Sequence, residues 1–387
     1  MTNNSLWGNQ RRVITVLVAF AFCAILSSCA GSAAPGQAVL PDAYYANLYQ
    51  YDNGQTFLGR GLNLGNFFDA PPSRSYPMGE GEWNGGFALV EADLDNIKAM
   101  GFKSLRVPVR WADHIAPTAP YQIDPVFLAR VKEVVDWSLA RGFVVVLNVH
   151  HYVSMMNDGP AALPGHRARL SAIWDQLCDA FPTEDYPADA LVFELLNEPN
   201  GTVGYASWNS IIAELAELIW VDHAGSQAGR KIMVGTANWG GVSGLKKLEL
   251  PSACSPSNTI VTVHYYEPYH FTHQGAEWAP GSTAWIGIRW RGTEADKAPL
   301  LDLLDSVVAW NLAHGFEIYV GEFGAYSRYV RPEDQKAWTA FVAREAERRG
   351  MSWAYWEYLS GLGAYDPVAK RWRAHIIDAL IPVEDRP

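Results

Sequence analysis

Eight short apolar stretches rich in β-branched residues recur along the chain, and amphipathic segments of helical periodicity separate them. Strands that are apolar along most of their length are typical of a parallel sheet covered by helices on its faces. The alternation therefore predicts an α/β fold built from repeated strand–helix units. The predicted strands are Gly61–Asn66, Ser104–Val109, Val144–Val149, Leu191–Leu196, Ile232–Ala237, Thr259–Tyr265, Glu317–Phe323 and Ser352–Tyr358.

Eight strand–helix units in roughly 330 residues fit one (β/α)8 TIM barrel with enlarged loops. A doubly wound open sheet is the competing architecture, but no glycine-rich phosphate turn follows the first strand. No linker or change of composition divides the chain after Pro41, so a single domain is predicted over residues 42–387. The predicted helices are Phe87–Met100, Pro125–Arg141, Trp208–Val221, Ala298–His314 and Glu333–Arg349, and the expected helix-ending glycines include Gly101, Gly142, Gly315 and Gly350.

The N-terminal segment has the features of an export signal. Arg11 and Arg12 precede an apolar run from Val13 to Leu26. A run this short is typical of a signal peptide, because a membrane-spanning helix needs about 20 apolar residues. The ending Leu26-Ser27-Ser28-Cys29 resembles the lipobox of bacterial lipoproteins, which implies removal of residues 1–28 and lipidation of Cys29.

Residues 29–41 contain many small residues without periodicity and are predicted to form a flexible tether. A lipidated Cys29 would hold the protein at the bacterial cell envelope, with the lipid as its only contact with the membrane. Cleavage a few residues later, near Ala33-Ala34, would instead give a fully secreted protein. Both forms are exported.

The charge and cysteine content exclude several classes of function. The chain carries 30 Lys and Arg against 41 Asp and Glu, a formal net charge of −11, whereas a nucleic-acid binder needs excess positive charge. Beyond Cys29, Cys178 and Cys254 could form one disulfide, and no clustered Cys/His spacing indicates structural zinc. The 16 tryptophans exceed what core packing normally needs, which favours flat binding surfaces for ligands such as sugar rings.

Polar and aromatic side chains gather at the ends of six of the predicted strands. In a barrel of this kind the active site lies at the C-terminal ends of the strands. Purely structural strand ends normally carry turn-forming residues, whereas these carry carboxylates, imidazoles and an arginine. The residues are Arg106, His150, His151, Asn197, Glu198, His264, Tyr266, Glu322 and Trp356.

Glu198 and Glu322 are the carboxylates at the ends of the fourth and seventh strands, which lie across one barrel mouth from each other. Two carboxyl groups that face each other across a cleft can act as proton donor and nucleophile at a glycosidic bond. Glu194 lies on the same face of the fourth strand but deeper in the barrel, where a buried carboxylate needs a partner.

The strings Asn197-Glu198-Pro199 and Gly321-Glu322-Phe323-Gly324 resemble the signatures of glycoside hydrolase family 5, a cellulase-type family with a (β/α)8 barrel and a retaining mechanism. The resemblance covers nearly the whole body of the chain. The later motifs are most similar to bacterial endo-β-1,4-glucanases, some of whose relatives also cut mannan. The further motifs are GRGLNLGNFFDAP from Gly59, LRVPVRW from Leu105, LNVHHY from Leu147, VGTANWGG from Val234, VTVHYYEPYHFTHQGAEW from Val261 and SWAYWEYLSGLGAYDP from Ser352.

The resemblance implies that Glu198 is the general acid/base and Glu322 the nucleophile of a double displacement. Arg106 is expected to keep Glu322 ionised by lowering its pKa, whereas Glu198 needs a raised pKa to donate a proton. A retaining pair of carboxyls stands about 5–5.5 Å apart, so a separation near ~9 Å would exclude retention.

The resemblance also implies roles for the neighbouring side chains. Asn197 donates a hydrogen bond to the sugar 2-hydroxyl, and Trp356 is the platform under the sugar next to the cleavage point. His264 lies near the acid/base and Tyr266 beside the nucleophile. Of the adjacent histidines His150 and His151, His150 is the one that the resemblance matches to the family's histidine. His151 is either a sugar contact or a structural residue.

Weaker candidates for more distant subsites are Asn66, His273, Trp278, Trp239 and the loop Asp69–Trp83. This first loop is longer than the compact form of close relatives and is expected to shape the glycone-side subsites. A metal site formed by the histidines is a competing interpretation. No HxH or HxxxH pattern supports it, and retaining hydrolysis needs no metal.

The leading prediction is a monomeric endo-β-1,4-glucanase that cleaves cellulose or related β-glucans without a cofactor or metal. A β-mannanase or a mixed glucanase/mannanase is the first alternative. The sugar units of glucan and mannan differ in the configuration of the 2-hydroxyl, and only a few subsite contacts distinguish the two. A non-catalytic carbohydrate-binding barrel is the second alternative, and the presence of Glu198, Glu322, Arg106 and Asn197 counts against it. The expected partner is therefore a β-1,4-linked polysaccharide, with no nucleic acid.

Overall fold

Eight parallel strands close into a barrel in which each strand pairs with its neighbour along the chain. They are β1 (Arg60–Asn63), β2 (Ser104–Val107), β3 (Val144–Asn148), β4 (Leu191–Glu194), β5 (Lys231–Gly235), β6 (Thr259–His264), β7 (Glu317–Phe323) and β8 (Ser352–Tyr355). Pairing of β8 with β1 closes the sheet. The computed structural model describes residues 56–387, so the predicted leader 1–28, the tether 29–41 and Cys29 lie outside the described residues. The predicted TIM barrel is confirmed.

Helices connect the strands along the outside of the barrel. They are Glu91–Ala99, Pro125–Ala140, Val153–Asn157, Leu163–Ala180, Tyr205–Glu217, Tyr269–Thr272, Glu294–Asn311, Pro332–Arg348 and Ala374–Leu380. Shorter elements are the π-helical turn Leu218–Asp222, the 3-10 turns Trp111–Asp113, Val242–Lys247, Ser282–Trp285 and Val383–Asp385, and a hairpin of β9 (Tyr365–Asp366) and β10 (Arg371–Trp372). Within residues 56–387, no helix has the length and apolar character needed to cross a membrane.

The helix Pro125–Ala140 shows how local sequence sets these bounds. The Asp124 side chain accepts hydrogen bonds from two backbone N–H groups of the first turn, and Pro125 lies where a missing N–H is tolerated. Gly142 follows the helix with a φ of 69°, a left-handed conformation that glycine adopts without steric cost. The other predicted helix-ending glycines, Gly101, Gly315 and Gly350, also have positive φ.

Apolar side chains form one core inside the barrel and a larger one between the strands and the helices. The inner cluster is Leu58, Val146, Val192, Met233, Ile260, Tyr319 and Ala354. The outer cluster includes the buried indoles of Trp111, Trp174, Trp208, Trp338 and Trp353. Trp353 packs outside the barrel, and its Nε1 donates to Glu347. The core therefore explains part of the tryptophan excess.

The observed strands end earlier than several of the predicted ones, because the residues at the barrel mouth leave the extended conformation. Asn66, His151 and Glu198 have φ values of 65°, 49° and 45°. Such values are uncommon for residues with a side chain and mark positions that the surrounding structure constrains. These residues therefore lie on loops that begin directly after the strands.

The helix Leu163–Ala180 follows β3 and was not among the predicted helices. Its buried residues Leu170, Ile173, Trp174 and Leu177 have the spacing of an amphipathic helix, so the signal was present in the sequence. Cys178 near its end is buried, and both Cys178 and Cys254 are free thiols. The disulfide that the sequence left open is not formed in this structure.

Arg230 anchors the start of β4, the strand that leads to Asn197 and Glu198. Its side chain is fully buried, and burial lowers its pKa to about 10. Its N–H groups donate to uncharged acceptors, which are Gln227 Oε1 and the carbonyl oxygens of Phe181, Tyr186, Pro187 and Leu191. The guanidinium thus joins the end of one helix to the first residue of β4.

Replacement of Arg230 by Met should lower the free energy of unfolding by about 3 kcal/mol, because several buried carbonyl groups lose their donor. Urea denaturation followed by circular dichroism measures the change. Arg331→Met is the control, since the Arg331 side chain is 63% exposed and should change stability by less than about 0.5 kcal/mol. Equal losses in the two variants would contradict the anchoring role.

Candidate active site

Arg106 on β2 uses all five of its N–H donors inside the barrel, where its side chain is fully buried. Nε and Nη2 donate to the two carboxylate oxygens of Glu194 at 2.6 and 2.8 Å. Nη1 donates to Glu322 Oε1 at 2.7 Å and to Asn63 Oδ1 at 3.0 Å. Nη2 also donates to Asn197 Oδ1 at 2.7 Å. Because the guanidinium is planar and rigid, it fixes these four side chains relative to one another.

The charges of Glu194 and Glu322 keep Arg106 protonated despite its burial. Burial opposes the charge on the guanidinium, but the attraction of Glu194 and then of Glu322 outweighs it, so the pKa of Arg106 is raised. The sequence predicted a partner for Glu194 and an arginine beside Glu322. Both contacts are present, and one side chain makes them both.

Glu322 and Glu198 face each other across the barrel mouth. Glu322 Oε2 accepts a hydrogen bond from the Tyr266 hydroxyl at 2.9 Å. The other carboxylate oxygen, Oε1, is the one that accepts from Arg106. One carboxylate oxygen of Glu198 and one of Glu322 lie within 4.8 Å of each other. This upper limit on one oxygen–oxygen distance is compatible with the roughly 5–5.5 Å between the carboxyl groups of retaining glycosidases and lies below the roughly 6.5–9.5 Å of inverting ones.

His264 lies between the two carboxylates. Its Nδ1 is 2.7 Å from Glu198 Oε1 and 3.6 Å from Glu322 Oε2. Burial opposes protonation of the ring, but attraction to Glu322 and the hydrogen bond to Glu198 outweigh it and raise the pKa of His264. The expected places of His264 near Glu198 and of Tyr266 near Glu322 are those observed.

The hydrogen bonds around Asn148 set the tautomer of His150. Asn148 Oδ1 accepts from the backbone N–H of Val109 at 3.2 Å, so its Nδ2 is the group that donates to His150 Nδ1 at 3.0 Å. The His150 proton is therefore on Nε2, which lies 4.0 Å from Glu322 Oε1. Burial, with His151 and Arg106 nearby, lowers the pKa of His150 and keeps the ring neutral.

Two groups of three side chains have metal-ligating atoms within 4.8 Å of one another, and neither fits a metal ion well. In the first group His150 offers no free nitrogen lone pair, because Nδ1 accepts a hydrogen bond and Nε2 carries the proton. In the second, His264 Nδ1 already forms a hydrogen bond of 2.7 Å with Glu198 Oε1. The groups are Asp69, His150 and His151, and Glu198, His264 and Glu322.

Trp356, directly after β8, presents a half-buried indole beside these residues. Its ring stacks on His150 with centroids 5.5 Å apart and planes at 11°. Two glycines make room for it: a Cβ at Gly65 would lie 2.7 Å from the indole, and one at Gly324 would lie 2.2 Å from the Trp356 carbonyl oxygen. Larger residues at these positions would displace Trp356.

Glu357, directly after Trp356, and Asp69 are buried carboxyl groups near the site. Asp69 begins the loop predicted to contribute to distant subsites, whereas Glu357 was not predicted as a site residue. Glu357 accepts hydrogen bonds from Asn66 Nδ2 and from the backbone N–H of Leu362. Burial raises the pKa of Glu357 to about 8 and that of Asp69 to about 7. The position of Glu357 directly after Trp356 was the sequence feature that could have identified it as a site residue. Asn66, predicted as a sugar contact, supports Glu357 here.

His273 and Trp278 lie on the loop after β6, and only the second has a large open surface. Trp278 is 50% exposed, whereas His273 is buried and stacks on Tyr269 with centroids 4.1 Å apart. Burial lowers the pKa of His273 to about 4. His273 and Trp278 contact each other edge-on at 6.2 Å, so His273 packs beneath this part of the rim.

Asn63 and Asn148 belong to the site but were missed in the sequence. Asn63 accepts from Arg106 and donates to the carbonyl oxygen of Gly321 at 2.9 Å, which ties β1 to β7 beside Glu322. Both asparagines are fully buried at the last position of a barrel strand. A polar residue in such a position was the signal that could have identified them.

A closed (β/α)8 barrel with two facing carboxylates after β4 and in β7 is an arrangement that glycoside hydrolases use. The family model described as Cellulase (glycosyl hydrolase family 5) matches residues 66–360, which include Glu198, Glu322 and Trp356. The chain therefore belongs to glycosyl hydrolase family 5, as the motifs predicted.

Individual relatives agree with this assignment. The chain is 32% identical over 300 residues to Endoglucanase H of Acetivibrio thermocellus, and the match covers 78% of this chain but 29% of that protein. It thus spans less than a third of the length of this curated relative. The structure of Cel5A of Thermotoga maritima in complex with cellobiose has a TM-score of 0.76 and 41% sequence identity, covering 84% of this chain and 98% of that one. The mannotriose complex of the same protein has a TM-score of 0.75, with the same identity and coverage.

Arg106→Lys should lower kcat by about 10²-fold or more, because a lysine has fewer donors and cannot hold four acceptors in place. KM should change much less than kcat. Steady-state kinetics on a soluble β-glucan measure both constants, and Arg141→Lys, on the barrel exterior, is the control. A kcat within twofold of the unmodified protein would contradict the positioning role of Arg106.

His264 should stabilise the fold more at low pH than at high pH. Its folded-state pKa is raised above 6.5, so its contribution is fully present below about pH 6.5 and is lost as the pH rises through the folded-state value. The difference in Tm between the unmodified protein and His264→Gln should therefore be larger at about pH 5.5 than at about pH 9. A difference that grows with pH would contradict this assignment.

Proposed function

We propose that the protein is a retaining endo-β-1,4-glucanase that cleaves internal bonds of cellulose or related β-glucans by double displacement. The observation that carries the proposal is the approach of Glu198 and Glu322 within 4.8 Å, with Glu322 held by Arg106 and Tyr266. Family membership and the names of the relatives, Endoglucanase H among them, support the same activity.

In the first step, the Glu322 carboxylate attacks the anomeric carbon while Glu198, in its acid form, donates a proton to the glycosidic oxygen. The glycosidic bond breaks, the leaving sugar departs as an alcohol, and the glycone remains as an ester on Glu322. The Arg106 and Tyr266 hydrogen bonds orient Glu322 for attack. Tyr266 and Arg106 thus act on the nucleophile from opposite sides.

In the second step, Glu198 accepts a proton from water as the water attacks the anomeric carbon and breaks the ester. His264 lies 2.7 Å from Glu198 Oε1 and orients it in both steps. Asn197, held by Arg106 through its oxygen, keeps its Nδ2 available to donate to the sugar 2-hydroxyl. His150 Nε2 lies 4.0 Å from Glu322 Oε1, next to the same reacting centre.

Trp356 is the platform for the sugar unit that becomes bonded to Glu322. Its indole is half-buried and fixed by His150 on one side, which leaves a flat apolar surface at the reacting centre. A pyranose ring buries its C–H groups on such a surface while its hydroxyls remain available for hydrogen bonds.

The proposal extends to location and assembly. The leader and Cys29 support an exported protein attached to the cell envelope by lipid, and a fully secreted form is the alternative. A monomer suffices, since every side chain used in the two steps comes from one barrel. No step requires a cofactor or a metal ion.

Reducing-sugar release by the purified protein from carboxymethylcellulose, glucomannan and mannan tests the substrate class. We expect the highest kcat/KM on the β-glucan. Mannan is included because Cel5A of Thermotoga maritima has been crystallised with mannotriose. Equal or faster release from mannan would replace the proposal by a mannanase or a mixed enzyme.

Glu322→Gln should lower turnover by at least about 10³-fold, because the amide is not a nucleophile. Binding of the polysaccharide should persist, since the side-chain volume and the platform at Trp356 are unchanged. Activity is measured by reducing-sugar release and binding by affinity electrophoresis in a gel that contains the glucan. Turnover close to that of the unmodified protein would show that Glu322 is not the nucleophile.

A further inference from the structure

The backbone of Glu198 has a conformation that the surrounding structure must maintain. Its φ of 45° lies in the left-handed region, which a residue with a side chain keeps only where other contacts fix it. The side chain of Glu198 is also less enclosed than that of Glu322, with 23% against 7% of its surface exposed. His264 bonds the carboxyl group, and the segment that follows Glu198 helps to hold its backbone.

The turn after Glu198 is bonded to the loop that follows β3. Asn200 Nδ2 donates to the carbonyl oxygen of Glu198 at 2.8 Å. The backbone N–H of Thr202 donates to the carbonyl oxygen of Met156 at 2.8 Å, and Thr202 Oγ1 accepts from the backbone N–H of Gly159 at 3.2 Å. The backbone of Glu198 is thus connected, through this turn, to the loop after β3.

Gly201, in the middle of this turn, lies directly against Met156. Its φ is 55°, and a Cβ at this position would lie 2.4 Å from the carbonyl oxygen of Met156. Only glycine allows two backbone segments to approach this closely. Gly204, further along the chain, differs: its φ is −80°, and a Cβ there would meet no atom of a non-neighbouring residue within 4 Å. The two glycines therefore form a matched pair, of which only Gly201 makes a close contact.

The helix Val153–Asn157 gives Met156 a fixed position. The side chain of Met156 is buried, and His166 joins the two ends of the short helix. His166 Nδ1 lies 3.2 Å from the Tyr152 hydroxyl, which precedes the helix, and Nε2 lies 3.1 Å from Asp158 Oδ2, which follows it. One imidazole thus ties both ends of the short helix to the long helix that comes next in the chain.

We propose that the helix Val153–Asn157 positions Glu198 for proton transfer, and that Gly201 and Thr202 are the positioning residues through which it acts. The proposal rests on the proposed function, because it needs Glu198 to be the acid that protonates the glycosidic oxygen. A displacement of about 1 Å can lower a rate by about 10²-fold. The contact between the two loops therefore affects the efficiency of the acid.

The nucleophile is held by other contacts. Glu322 lies on β7, and its two carboxylate oxygens accept hydrogen bonds from Arg106 and from Tyr266. A shift of the turn after Glu198 should therefore weaken the acid and leave the nucleophile in place. A general loss of folding would affect both groups.

Aryl β-cellobiosides with different leaving groups separate these two effects. Dinitrophenolate leaves without a proton, whereas phenolate leaves much faster when an acid protonates its oxygen. The test compares kcat/KM for the phenyl and the dinitrophenyl cellobioside. This constant reports the steps up to formation of the ester on Glu322, so it contains the acid step and excludes the later attack of water.

Gly201→Ala should lower kcat/KM for the phenyl cellobioside about tenfold or more, because the added methyl group displaces the turn from Met156. For the dinitrophenyl cellobioside the loss should be less than about twofold. Thr202→Val keeps the side-chain volume and removes the acceptor of the Gly159 N–H, so it should show the same pattern with a loss of about threefold. Thr202→Val also carries the test if Gly201→Ala does not fold, which circular dichroism checks.

Gly204→Ala is the matched control, and both of its kcat/KM values should stay within about twofold of those of the unmodified protein. If Gly201→Ala and Thr202→Val lower kcat/KM equally for the two substrates, or for neither, the positioning role is excluded while the proposed function stands. If the unmodified protein cleaves neither cellobioside, the proposed function fails and the positioning role fails with it.

Discussion

The five hydrogen bonds of Arg106 are the interaction on which the site depends. A guanidinium buried inside a barrel must find an acceptor for every N–H group, because an unpaired buried donor costs about 1–3 kcal/mol and more when it is charged. Arg106 meets this requirement with Asn63 on β1, Glu194 and Asn197 on β4 and the segment that follows it, and Glu322 on β7. The proposed nucleophile, Glu322, and the proposed sugar contact, Asn197, are therefore placed by the same group.

The hydrogen bonds of Arg106 position the side chains of the site more than they stabilise the fold. Buried ion pairs contribute little net stability compared with apolar packing of the same volume. The barrel nonetheless buries Arg106, Glu194 and Glu322 at its mouth, and it holds Glu198 and His151 at positive φ beside them. The stability that offsets these features comes from the inner cluster beneath the site and from the larger core between strands and helices.

The sequence predicted the barrel and the side chains that carry charge, because apolar strands and strand-end carboxylates leave clear patterns. Glu194 illustrates the limit: its burial predicted a partner, but only the fold shows that Arg106 serves Glu194 and Glu322 together. Asn63 and Glu357 contact residues far along the chain, so their positions at a strand end and next to Trp356 do not by themselves reveal their partners. The strand ends were predicted too long because the loop conformations there depend on tertiary contacts and not on β propensity.

The stereochemistry of the first product tests the central claim most directly, since it reports the separation and roles of Glu198 and Glu322. Proton NMR during hydrolysis of a cello-oligosaccharide distinguishes the two anomers of the new reducing end before they interconvert. The account predicts that the β-anomer forms first, because two displacements at the anomeric carbon retain its configuration. Initial formation of the α-anomer would show a single displacement and would contradict the assignment of Glu322 as a nucleophile placed by Arg106.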